Sequence, residues 1–232
     1  RLNSMPMQKP KAVLWDMDGT LIDSEHYWLS SEQALAEEHG ASWGPNDGLD
    51  LVGMSLYEST LVIKERIGSP LEPQQIIDRL TNDVVGHLNN HVPWRPGARE
   101  LLLELREQGI PTALVTMSLR RMAMSVVDAL TAELGGIEAF DVVIGGDEVP
   151  RGKPHPDPYL IAAEKLGVAI VDCIAIEDSL NGLLSAESSG ARSIGVPNVV
   201  SLPERPGRTI WPTLEGVTVE HLTTFFNQGA TE

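Results

Sequence analysis

Asp16 and Asp18, in Trp15-Asp16-Met17-Asp18-Gly19-Thr20-Leu21-Ile22-Asp23-Ser24, are the residues whose types and spacing say most about chemistry. They follow Ala12-Val13-Leu14-Trp15, a short apolar run that predicts a buried strand. Carboxylates at i and i+2 keep their side chains on one side of an extended chain. At the carboxyl end of a strand, both can therefore serve one metal ion and one substrate. Gly19 permits the sharp turn that follows, because it tolerates unusual φ.

Three further segments carry groups that suit the same site. Val115-Thr116-Met117-Ser118 closes a second apolar run and leads into a helix. The Thr116 hydroxyl, with backbone N–H groups of Met117 and Ser118, makes a pocket for a phosphoryl group at such a helix start. A hydroxyl ending a strand is common, so this segment means little alone. In Arg151-Gly152-Lys153-Pro154-His155-Pro156-Asp157-Pro158, the lysine stands between glycine and proline before a helix that Asp157-Pro158 is expected to cap. Lys153 is expected to neutralise phosphate oxygens and to bridge to Asp16. Glu177-Asp178-Ser179 ends the apolar run from Cys173, and paired acids there suit a hard cation such as Mg²⁺. Alternatively, Ser179 caps the next helix and the acids serve its dipole.

The first segment resembles the opening motif of the haloacid dehalogenase-like hydrolases, and Gly-Lys-Pro-x-Pro-Asp and the Glu177-Asp178 pair follow in that family's order. The resemblance runs from about Lys11 to about Thr224. It implies an aspartyl-phosphate mechanism with Asp16 as nucleophile and Asp18 as general acid and base. It also implies Mg²⁺ held by the Asp16 side chain, the Asp18 carbonyl oxygen and Asp178, with Glu177 binding directly or through water. Lys153 and the Thr116 region would spread the charge of the transferring group. The expected reaction is hydrolysis of a small phosphorylated metabolite, a sugar phosphate or similar ester. Dehalogenases and phosphonoacetaldehyde hydrolases of this fold lack an acid two residues after the nucleophile. The latter also need a Schiff-base lysine in the cap, for which Lys64 is the sole candidate between Thr20 and Val92.

The rival reading is a sugar-phosphate mutase of the β-phosphoglucomutase type. Those enzymes resemble this chain in all four motifs, but carry a histidine where Trp28 stands and an arginine after a Gly-x-Ser. Here that segment is Gly53-Met54-Ser55-Leu56, so Arg66, Arg79 or His26 would have to hold a second phosphate. His26 sits just past the first motif, where family members often touch substrate; a helix-surface position is the alternative. A non-catalytic binding member is disfavoured by the intact motifs.

The 232 residues, 42% of them apolar, allow a sizeable core. A formal net charge of -16 disfavours nucleic acid and anionic lipid as partners. It would also repel a phosphorylated substrate unless a cation reverses the sign locally. Cys173 is the only cysteine and reads as a buried structural thiol. No apolar stretch approaches 18 residues and no leader pattern opens the chain, so a cytoplasmic location and no membrane partner are expected. Arg1-Leu2-Asn3-Ser4, ahead of Met5, are expected to be a cloning remnant. Nothing in the sequence bears on oligomeric state.

These groups need a scaffold that brings four strand ends together. From Ala98 onward, helices alternate with strands: Ala98 to Gln108, Thr112 to Val115, Arg120 to Glu133, Val142 to Ile144, Asp157 to Leu166, Cys173 to Ile176, Leu180 to Ser189, and Ser193 to Val196. Such alternation predicts a doubly wound, Rossmann-like α/β parallel sheet that also takes in the Ala12 strand. Between Ser24 and His91 only helical periodicity is seen, with Ile76, Leu80, Val84 and Leu88 as one stripe. The expected organisation is a catalytic core of residues 1–24 and 92–232 with a small all-helical cap of residues 25–91. The tail, with Pro197, Pro203, Pro206 and Pro212, reads as loop ending in a short helix near Glu220.

Overall fold

The computed structural model describes residues 5–229; Arg1–Ser4, the expected cloning remnant, lie outside the described residues. Six strands form one parallel sheet: β1 (Ala12–Trp15), β2 (Thr112–Val115), β3 (Val142–Ile144), β4 (Cys173–Glu177), β5 (Arg192–Gly195) and β6 (Thr209–Ile210). Their spatial order is β3-β2-β1-β4-β5-β6, the Rossmann order. The central strands read as unbroken apolar runs because both faces of the sheet are covered. Val13 and Trp15 join Leu101, Leu105, Val126 and Leu222 on one face. Ala12 and Leu14 point to the other face, where Tyr159, Ala162 and Ala186 pack. Cys173 belongs to this second face, where burial pushes its thiol up to about 12, so it is an inert filler.

The helices outside the Ser24–His91 segment are α4 (Ala98–Glu107), α5 (Arg120–Glu133), α6 (Asp157–Leu166), α7 (Leu180–Ser189) and α8 (Val219–Asn227). The expected elements are thus present, with α4 ending one residue earlier at Glu107, β4 running one residue further to Glu177, and three larger differences. α6 is preceded by Pro156 at the cap position with no side-chain cap, because the Asp157 carboxylate is engaged by Arg151 instead. β5 starts at Arg192 and ends before Val196. The two-residue β6 lies in the tail read as loop; an edge pairing this short leaves no periodicity to detect.

Between β1 and α4 lie three α-helices, α1 (Glu25–Glu38), α2 (Leu56–Ile67) and α3 (Pro73–Asn90). Leu35, Trp43, Leu51, Ile63 and Ile67 form a third apolar cluster among them. The stripe along α3 divides: Ile76 and Leu80 belong to this cluster, whereas Val84 and Leu88 pack into the sheet-side core.

Gly97, just before α4, has φ +79°, and a Cβ there would lie 2.0 Å from the Leu214 carbonyl oxygen. Gly97→Ala is therefore expected to lose about 3 kcal/mol or more, from left-handed strain plus displacement of the Leu214 segment. Denaturant unfolding checks this; an unchanged midpoint would show that the close approach is not needed.

Candidate active site

Register aligns the chemistry. Trp15 pairs with Leu114 on β2 and with Ile176 on β4, so the residues that follow emerge side by side at one sheet edge. This edge lies where the chain order reverses across β1, the position at which open parallel sheets bind ligands. Asp16, Asp18, Thr116, Met117, Ser118, Lys153 and Asp178 all line one cavity of about 140 Å³ there, roofed by α1, α2 and the loop between them.

Asp16 is buried, with one oxygen accepting from Lys153 Nζ at 2.8 Å and the other from the Thr20 hydroxyl at 2.7 Å. The Thr20 hydroxyl also lies 3.1 Å from Asp178 Oδ1. A Cβ on Gly19, whose φ is +82°, would come within 2.1 Å of Asp178 Oδ2. Glycine therefore allows the turn after β1 to pass beside that carboxylate. Burial, then the charge of Asp16, raises the Asp178 pKa well above the usual carboxylate range.

The Asp18 side chain takes different partners. Its Oδ1 accepts from Ser24 Oγ at 2.6 Å and Trp28 Nε1 at 3.2 Å, and its Oδ2 from Ser118 Oγ at 2.8 Å. Thr116 Oγ1 stands 3.5 Å from Oδ2 and accepts from the Ser118 backbone N–H at 3.1 Å. Burial raises the Asp18 pKa, the Ser24 and Ser118 hydrogen bonds oppose this, and Asp16 adds to it. The expectation of two carboxylates facing one ion thus resolves into one acid among charged groups and one in a cradle of hydroxyls and an indole.

Lys153 is buried, with Nζ 2.9 Å from the Val115 carbonyl and 2.6 Å from Glu177 Oε1. Desolvation lowers its pKa, but Asp16 and Glu177 outweigh it and hold the ammonium charged. The Lys153 backbone N–H reaches the Met117 sulfur at 3.3 Å. Glu177 also accepts from the Tyr159 hydroxyl. Its second oxygen is buried without a partner and faces Gly182, whose Cβ, if present, would sit 2.0 Å away. Burial first, then Asp16, pushes Glu177 up to about 8 despite Lys153. Ser179 is the N-cap of α7, accepting from the Gly182 N–H at 3.2 Å. The helix-capping reading therefore holds for that residue.

One carboxylate oxygen from each of Asp16, Glu177 and Asp178 lies within 4.8 Å of the others. Three buried acids against one lysine, with one oxygen unpartnered, form a donor set that fits a hard cation. Of the three, Asp16 and Asp178 face the cavity.

Several site residues went unrecognised in the sequence. Thr20 and Ser24 lie inside the first motif, where a hydroxyl four residues after Asp16 and six after Asp18 was the available signal. Tyr159 and Asn198 had none; the Asn198 amide nitrogen is buried without a partner beside Gly19. Glu25 and Glu32 face the cavity from α1, while His26 is exposed on the same helix against Tyr27.

Acids gathered at the switch point of a parallel α/β sheet define an enzyme acting on a small ligand at strand ends. Comparison with known proteins specifies which. Residues 13–196 match the family model for haloacid dehalogenase-like hydrolases. Hexitol phosphatase B of Escherichia coli is 30% identical over 80% of this chain and 83% of that protein. The bifunctional riboflavin kinase/FMN phosphatase of Arabidopsis thaliana is 31% identical over 83% of this chain, which spans about half (49%) of that longer protein. The crystal structure of CbbY from Rhodobacter sphaeroides in complex with phosphate superposes with a TM-score of 0.81, at 27% identity, covering 92% of this chain and 99% of that one. The chain belongs to the haloacid dehalogenase-like hydrolase family.

Proposed function

We propose that this protein is a Mg²⁺-dependent phosphatase acting on a small phosphomonoester, a sugar phosphate or a similar metabolite, with residues 25–91 as a cap over the site. The observation that carries the reading is the separate placement of Asp16 and Asp18. Asp16 is bound by the cationic Lys153 and faces the cavity as a nucleophile would. Asp18 is half-buried in a hydrogen-bonded cradle, with a raised pKa that suits proton transfer. An Asp16 oxygen attacks phosphorus and the ester P–O bond breaks, while Asp18 gives its proton to the leaving oxygen. Asp18 then takes a proton from the water that hydrolyses the aspartyl-phosphate. Lys153 and the Thr116–Ser118 donors bear charge on the phosphoryl oxygens, and Glu177 acts through Lys153 by holding its ammonium in place. Mg²⁺, held by the Asp16 and Asp178 side chains and the Asp18 carbonyl, would supply charge neutralisation between a carboxylate and a phosphate dianion.

Hydrolysis is favoured over the mutase reaction because Arg66 and Arg79 are engaged elsewhere and His26 lies outside the cavity lining. Arg66 pairs with Asp50, Arg79 with Glu38 and Asp83, and Lys64 Nζ binds the carbonyls of Ser69 and Leu71. Among the described residues lining the cavity, Lys153 is the only cation. Relatives named for hexitol phosphates and phosphorylated carbohydrates support the substrate class.

Released inorganic phosphate from a panel of sugar and polyol monophosphates, with Mg²⁺ present, tests the reading. EDTA is expected to abolish that release. Mg²⁺ at about 100 times its Kd should add about 2.7 kcal/mol of stability, raising Tm by about 5–10 °C. Full activity in EDTA, or isomerised sugar phosphate with no free phosphate, would reject it.

A further inference from the structure

α1 brings Glu25, Trp28 and Glu32 to one face, at spacings of three and four residues, and all three line the cavity. Trp28 contacts Asp18 through its indole N–H. Glu32 lies a further turn along, about 6 Å up the helix axis from Trp28 and away from the phosphoryl end. One oxygen of Glu32 accepts from Trp43 Nε1 at 2.7 Å, with Gly48 close enough that a Cβ would stand 3.2 Å from it. Among the described residues no cation pairs with Glu32, and its other oxygen has no partner. Burial raises its pKa to about 7 against the Trp43 hydrogen bond, so above neutral pH it presents a carboxylate to the cavity. The neighbouring wall, formed by Leu51, Met54, Ile63 and Leu80 with the Ser59 hydroxyl among them, brings no positive charge to offset that carboxylate.

We propose that Glu32, fixed by Trp43, is a specificity-determining residue: its free oxygen accepts from a hydroxyl on the far end of the leaving group and repels an anion there. The preferred substrates are then polyol or sugar monophosphates, and esters with a distal carboxylate or second phosphate are rejected. This rests on the phosphatase reading. A hydroxyl donor satisfies the carboxylate, whereas a second anion brings like charges together in a poorly solvated pocket.

The test compares a hexitol 6-phosphate with the hexonate 6-phosphate of equal length, and with phenyl phosphate, which has no distal group, at pH 8.5. The wild-type protein is expected to favour the hexitol ester at least about tenfold in kcat/KM, within the range that one unsatisfied buried polar group produces. Glu32→Gln should shrink that ratio at least about fivefold, chiefly through KM, because Glu32 is distant from the reacting bond. Glu32→Lys should reverse it. Trp43→Phe, which keeps a ring but removes the donor, should weaken it in the same direction. An unchanged ratio in Glu32→Gln overturns the inference, as does turnover of phenyl phosphate with neither six-carbon ester. Failure to hydrolyse any of the three esters would instead reject the phosphatase reading.

Discussion

Asp16→Asn should lower turnover at least about 10⁴-fold while leaving the protein folded. The substitution keeps the shape of the side chain and one carbonyl oxygen to accept from Lys153, while its NH₂ replaces the oxygen that faced Thr20 and can donate to that hydroxyl. An amide is a very poor nucleophile toward phosphorus. In enzymes whose groups act as a unit, removing the nucleophile alone costs nearly as much as removing the whole set. Steady-state phosphate release, paired with thermal melting, checks both halves of the expectation. Melting within a few degrees of wild type with activity lost supports the nucleophile assignment. A folded Asp16→Asn protein that retains a tenth of the activity would sink it.

Lys153→Met should damage both stability and catalysis. The ammonium is almost entirely buried and holds Asp16 and Glu177 at 2.8 and 2.6 Å. Methionine fills the slot but leaves two carboxylates facing each other without a cation. Breaking a buried pair in this way costs about 3–5 kcal/mol. The same change removes positive charge from the transferring phosphoryl group, for a loss in kcat of about 10³-fold. Lys153→Arg should rescue little, because a planar guanidinium cannot reproduce a point contact with Asp16, Glu177 and the Val115 carbonyl together. Urea unfolding and phosphate release report the two effects separately. A Lys153→Met protein as stable as wild type would show that the two acids are protonated or solvated in the folded state.

Much of this architecture could be read from the chain. β1, β2 and β4 were legible because strands buried on both faces are largely apolar, and each run ends at a polar residue of the site: Asp16 and Thr116 face the cavity, and Glu177 lies behind it against Lys153. The four motifs pointed to Asp16, Thr116 and Asp178, which each directly follow a strand, and to Lys153, in the loop four residues before α6. Other features depend on which elements meet. Tyr159 looks like an ordinary aromatic on an apolar helix face until α6 is laid beside β4, where its hydroxyl meets Glu177. Glu25 and Glu32 share a face of α1, and charges at helical spacing do not distinguish a solvated face from a lined one; only the sheet edge beneath turns that face into a cavity wall. Asn198 lies in a proline-containing stretch without periodicity, and nothing short of the folded loop brings it to Gly19. The pairing of Glu177 with Lys153 and Tyr159 was hidden for the same reason, because spacing cannot reveal which partner a buried carboxylate will take.

The division of the α3 stripe has a thermodynamic consequence. Ile76 and Leu80 anchor the helix among its helical neighbours, and Val84 and Leu88 anchor the same helix beside the sheet. Melting either half uncovers apolar side chains that the other half was shielding, and one rigid rod transmits that penalty between them. The two halves are thereby coupled, and denaturation is expected to run as one transition rather than two.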